Sequence, residues 1–221
     1  MRMYYKPKTL NKLEKKFGKL AVNNLMLILV GAMAIVFVMD MFVAMKTGQS
    51  LYARLMFDRN AILAGEFWRV VTFLFLPPNS SIIFIVFSLY FYYLIGSALE
   101  SEWGAFGFTL YYLIGVIGAI ASGFIAGFAT NFYLNMSLFL AFAILNPEFE
   151  VRIFFLIPIK MKWLAAIDAV LLILSLIGSS WGEKLSLFTA LINLLLFFTP
   201  FLVMRIKQAY GRWKWKRSFK K

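Results

Sequence analysis

Between Ala21 and Met204 the chain is a succession of apolar runs, and the first of them, Ala21–Met45, holds a single ionisable residue, Asp40. A run of this length exceeds the ~20 residues an α-helix needs to cross a hydrocarbon core. Lipid offers no hydrogen bonds to the backbone, so a spanning segment must satisfy its own peptide groups. The whole sequence agrees with that constraint: 62% of its 221 residues are hydrophobic and only 15% charged, more apolar surface than a soluble domain of this size can bury. Ala21–Met45 is also too long for the apolar core of a secretory signal, and no small-residue cleavage site follows it, so it reads as a retained helix. The expectation is an all-α, polytopic membrane protein.

Further spans are read at Ser81–Leu99, Phe106–Ala129, Asn131–Leu145, Met161 or Trp163 to Ile177, and Leu185–Met204. The third carries Gly115, Ala119, Gly123 and Gly127 at every fourth position, a stripe of small residues that lets a neighbouring helix approach closely. Asn131–Leu145 is too short for a full crossing and is expected to sit centrally, shielded by its neighbours. It is closed by Asn146-Pro147, because proline disfavours helical geometry at the residue before it. Lys46–Ser80 mixes Arg54, Asp58, Arg59, Glu66 and Arg69 with Leu51, Leu55, Met56, Phe67 and Trp68. That mixture suits a partly immersed loop whose backbone is satisfied by short helices of its own. Glu148–Lys162 reads as a loop around the apolar run Ile153–Ile159, and Gly178–Gly182 as a turn.

The net charge of +13 is terminal: seven of the 23 basic residues lie before Leu20 and eight from Arg205 onward. Three more lie in Asn146–Lys162, against four in Lys46–Ser80 and one at Lys184. Basic residues concentrate on the cytoplasmic side, which predicts six spans, both termini cytoplasmic and the first loop outside, in a bacterial cell membrane. Residues 1–20 then form a basic amphipathic segment on the membrane surface, 21–204 the membrane domain, and 205–221 a basic aromatic tail. Both basic termini suit anionic lipids. The tail interleaves Tyr210, Trp213, Trp215 and Phe219 with basic residues, which fits ribosomal RNA as well as an interfacial belt; DNA is not an expected partner.

Cysteine and histidine are both absent, which removes thiolate and imidazole ligands and the commonest general base. No metal and no cofactor are expected.

The stretch Gly65–Gly104, GEFWRVVTFLFLPPNSSIIFIVFSLYFYYLIGSALESEWG, has a polar entry (Glu66, Trp68, Arg69), a Pro77-Pro78 break and a span closed by Gly96, Glu100 and Gly104. The Trp-Arg pair and the G-x-x-x-E-x-x-x-G ending resemble the rhomboid superfamily, and the resemblance resumes at Asn135-Met136-Ser137 and Asn146–Trp163. It implies a six-helix rhomboid-like bundle with a partly immersed first loop. It also implies that Arg69 ties loop carbonyls together with Glu66 as a partner, and that Glu100 accepts orphan N–H groups near the start of the third span. Carried over by motif, the nucleophile position falls on Ser137, the oxyanion positions on Phe84 and Ser88, and the base near Ala190. A serine without an adjacent base is a poor nucleophile, and Ser137 is flanked by Asn135 and Leu138 where the family has glycines. A Ser-Lys dyad fails on distance for Lys160 and Lys162, and nothing fixes Lys184 near Ser137. The resemblance is therefore to the rhomboid pseudoproteases and Derlins: no enzyme, but a protein that binds transmembrane clients in membrane-protein quality control, with a AAA protease as a candidate partner. The Derlin branch carries a sixth-helix Gly-x-x-x-Gly that this chain lacks.

Asp168 lies inside a span, where an acid is costly and points to function. It either meets a polar group of a client or hydrogen-bonds Asn193 or Thr199 across the bundle. Asn131, Asn135, Ser137 and Asn193 are candidates to line a hydrated cavity. Two rival readings remain: an atypical intramembrane serine protease using Ser137, and a small transporter or channel with Asp168 and Asn193 in its path.

Overall fold

The computed structural model describes residues 8–78, 81–153 and 157–218, and their side chains over 10–78, 81–151 and 158–199. Among these the architecture is helical: α1 (Lys8–Phe17), α2 (Leu25–Thr47), α3 (Tyr52–Leu55), α4 (Arg59–Leu63), α5 (Arg69–Thr72), α6 (Ile82–Ala126), α7 (Phe132–Leu145), α8 (Met161–Gly178) and α9 (Trp181–Ser218). Two short antiparallel ladders complete it, β1 (Phe57–Asp58) with β2 (Phe128–Ala129) and β3 (Glu150–Ile153) with β4 (Ile157–Lys160). Four helices are long and apolar enough to cross a membrane: Leu25–Thr47, Ile82–Ala126, Met161–Gly178 and the Trp181–Thr199 part of α9. The protein is an all-α integral membrane protein.

The expected spans Ser81–Leu99 and Phe106–Ala129 are joined in α6, whose helical geometry is interrupted at Gly104 (φ 76°, ψ 160°). That backbone region is open to glycine and almost nothing else. Each limb, 82–103 and 105–126, is about 33 Å long at 1.5 Å per residue. Trp103, buried beside the break, sets its ring 5.0 Å from Tyr111 and 5.4 Å from Phe197 of α9, an aromatic cluster that ties the break to the last helix.

Small residues set the closest approaches, as expected where helices associate by packing. A Cβ at Gly115 would strike Leu134 of α7 and come within 3.0 Å of the Asn193 amide of α9. At Gly123 it would meet Ala129 at 2.7 Å and Phe57 at 2.9 Å, and Ala119 between them is buried. Gly127 departs from the expected stripe: nothing lies within reach of it, and with φ 95° it closes α6 by donating its N–H to Gly123 O (2.8 Å). Gly118, off the four-residue series, packs against Thr189.

Two further expectations change. The amphipathic N-terminal segment is not wholly a surface element, because Leu10 of α1 is buried over Gly107 while Leu13 and Phe17 stay exposed. Residues 1–7 of that segment lie outside the described residues. The loop read at Glu148–Lys162 is the β3–β4 hairpin, with Glu150 opposite Lys160. α9 runs through the expected 204/205 boundary to Ser218, and the tail's side chains, including Tyr210, Trp213, Trp215 and Phe219, lie outside the described ones.

Candidate functional site

The first loop is built on Arg69. Its side chain is buried at the start of α5, and Nη1 donates to Ala53 O (2.8 Å) and Met56 O (3.0 Å) while Nε donates to Glu66 Oε2. A guanidinium suits this position because its donors diverge in a fixed plane and reach two carbonyls and a carboxylate together. Thr72 Oγ1 adds a bond to Leu55 O (2.8 Å). Trp68 is half-exposed and donates from Nε1 to Arg54 O (3.2 Å). Asp58 caps α4 by accepting from Asn60 N (2.8 Å) and Ala61 N (3.1 Å). Arg59 fastens the loop to the end of α6 through Phe124 O (3.1 Å). Asn131 does the same from the start of α7, donating to Leu74 O (3.0 Å) and Leu76 O (2.8 Å).

Glu100 accepts an orphan N–H, but of a different helix from the one expected. Its Oε1 takes Asn24 N (2.7 Å) at the N-cap of α2, where Asn24 adopts a left-handed backbone (φ 54°). A carboxylate there complements the positive end of the helix dipole. Gly96, one turn earlier, lets α2 close in: a Cβ would collide with Met26. The G-x-x-x-E-x-x-x-G motif thus seats the first span with two residues and breaks α6 with the third.

Ser137 is buried on α7 with its hydroxyl donated to Leu134 O (2.7 Å), three residues back on its own helix, and the Tyr111 side chain beside it. Lys160 and Lys162 are engaged by Glu148 (2.8 and 2.7 Å), and Lys184 sits over the Trp181 ring. Among the described residues no base meets the Ser137 hydroxyl. Ala190 is buried and lines a cavity of about 10 Å³ with Gly115, Ala119, Leu134 and Ser186, at the limit of what one water needs. Phe84 is half-exposed on the first limb of α6 and Ser88 partly buried one turn on.

The four polar residues expected to line a hydrated cavity lie around two tyrosines, Asn193 and Ser137 meeting Tyr111 while Asn135 and Asn131 lie by Tyr92. Asn193 donates to Tyr111 O (3.0 Å), with its Oδ1 left without a partner. Asn135 is buried next to Tyr92, also with an unpaired Oδ1. Of the four, Asn131 lines a cavity of about 440 Å³ under the first loop, together with Tyr52, Met56, Leu76, Pro77 and Tyr92. Asp168 bonds neither Asn193 nor Thr199, whose hydroxyl donates back to Leu195 O. It lies instead in a cleft of about 290 Å³ between the first limb of α6 and α8, lined by Phe87, Phe91, Phe139, Leu164 and Leu171.

No family model and no curated protein matches this sequence.

Several structural residues went unread in the sequence. Glu148 is drawn well below the usual carboxylate range, to about 2, by its hydrogen bonds with Lys160 and Lys162; carboxylate and lysines are twelve or more residues apart, a spacing with meaning only once the hairpin exists. Ser180 and Glu183 form a capping box at the start of α9, Ser180 N donating to Glu183 Oε2 (2.9 Å) and Glu183 N to Ser180 Oγ (3.4 Å). The S-x-x-E spacing signals that device by itself. Ser122 and Ser186 meet at 3.3 Å inside the bundle, a pairing no local pattern announces.

Proposed function

We propose that this chain is a non-catalytic, rhomboid-like membrane protein of six spans that binds transmembrane segments of client proteins in membrane-protein quality control. The observation that carries the reading is the cleft between α6 and α8. Of the four membrane-length helices α8 is the least buried, and it stands away from the first limb of α6 with Phe87, Ile167 and Leu171 partly exposed at the opening. A gap between two spanning helices, apolar in its lining apart from Asp168, has the chemistry of a seat for side chains of a third helix.

Six passes follow from taking the two limbs of α6 and the short α7 as separate crossings. Support comes from the way connections gather. The β1–β2 ladder joins the first loop to the α6–α7 junction, and Gly182 lies against Ala126. The start of α2 meets Glu100, Leu10 meets Gly107, and Phe198 meets Trp103. The non-catalytic half of the reading rests on Ser137, whose proton is committed to its own helix in a chain without histidine. Serine-directed fluorophosphonate probes are expected to leave the purified protein unlabelled, and photo-cross-linkers along 164–171 to capture membrane proteins from native membranes. Labelling at Ser137 that disappears in Ser137→Ala would make it a hydrolase instead.

A further inference from the structure

We infer that the α6–α8 cleft selects transmembrane segments carrying a lysine or arginine within the membrane, with Asp168 as the residue that recognises it. The inference rests on the client-binding reading and names the class of client. Asp168 Oδ2 is buried from the surroundings and has no hydrogen-bond partner among the described residues. Counting from Met161, it stands about 10 Å along α8 from the hairpin end. An unpaired carboxylate in hydrocarbon is expensive, and the group that relieves the cost is a cation or strong donor on whatever fills the cleft.

The rest of the lining points the same way. Phe87 and Phe91 stack at 6.0 Å, and Phe91 lies 6.0 Å from Phe139, so the side of the cleft facing α8 is aromatic, while Val151, Leu164, Ile167 and Leu171 complete the lining. Ring faces attract ammonium and guanidinium groups, and the attraction strengthens away from water. An aromatic wall and one unpaired carboxylate together form a complement to a single basic side chain on an otherwise apolar helix.

A second copy of this chain does not offer that complement. Its membrane-length helices hold no lysine or arginine except near their ends, at Lys46, Lys162, Lys184 and beyond Met204. The basic residue must come from another protein.

The test uses the full-length protein, with a photoreactive phenylalanine analogue at position 167, in phosphatidylcholine vesicles. Leu/Ala peptides of ~20 residues, long enough to span, are added with a central Lys, Leu or Glu. The Lys peptide is expected to label about tenfold more than the Leu peptide, the factor that 1.4 kcal/mol produces. Asp168→Asn should reduce the Lys peptide to the Leu level while leaving Leu labelling unchanged, which also reports that the variant is folded. Asp168→Lys should transfer the preference to the Glu peptide. Equal labelling of Lys and Leu peptides, or a Lys preference surviving Asp168→Asn, overturns the inference and leaves client binding standing. Labelling of a second copy in place of peptide overturns it in favour of self-association. If no peptide labels, the client-binding reading falls and takes the inference with it.

Discussion

Arg69 holds two carbonyls and one carboxylate from a buried position, and no other described side chain bonds Ala53 O or Met56 O. Removing it strands acceptors at about 1–3 kcal/mol each. Arg69→Ala should therefore lower the melting temperature in detergent and the steady-state level in membranes. Arg69→Lys should recover only part of the loss, because one ammonium cannot satisfy three diverging acceptors. Unchanged melting in Arg69→Ala would mean the loop is held by its other ties. Glu148 supplies the acid-side prediction. Its carboxyl, ordinarily near 4.5, is pulled down to about 2 by Lys160 and Lys162, so its stabilising contribution is present above pH 4.5 and is lost as the pH falls towards 2. The group is fully exposed, so the effect is small and salt-sensitive. A melting series against pH should show Glu148→Gln converging on the wild type between pH 4.5 and 2.

Helix elements in this protein end and meet where a side chain is missing. Gly104 breaks α6 in a conformation that costs a residue with a Cβ about 1–3 kcal/mol. Gly96 admits Met26 to the backbone of α6, and overpacking a close contact of this kind costs about 1–3 kcal/mol. Gly104→Ala and Gly96→Ala should each lower thermal stability by amounts in that range, measured by unfolding in mild detergent. Gly31→Ala is the internal control: a Cβ there meets nothing within 4 Å, and its melting should match the wild type or exceed it. A Gly104→Ala protein as stable as the Gly31→Ala control would show that the break tolerates a side chain.

At the scale of the molecule, the ends of the bundle differ in construction. One gathers the first loop, the β1–β2 ladder and the α8–α9 turn; the other gathers α1, the Gly104 break and the start of α2. Basic residues crowd the chain's two ends and Asn146–Lys162, and they are sparse in Lys46–Ser80. Reporter fusions after Lys221 and within Lys46–Ser80 should therefore report opposite faces, with the tail cytoplasmic. A cytoplasmic first loop would reverse the orientation.

The membrane class, the apolar segments and their approximate bounds were legible in the sequence, because lipid imposes length and hydropathy locally and each run carries its own signal. Arg69 and the glycines at 96, 104, 115 and 123 were legible as structural positions for a related reason: a buried fork of donors or a missing Cβ has few other uses. Which helix each one serves was decided by the tertiary structure alone. Glu100 caps α2, 76 residues away in sequence, Gly115 makes room for Asn193, and Gly127 packs against nothing. Asp168 was visible as costly from its place in a span, but only the three-dimensional arrangement leaves it unpaired in a cleft. Partnership across a bundle depends on which faces meet, and helix faces are matched by packing between residues far apart in the chain, a term that no local pattern contains.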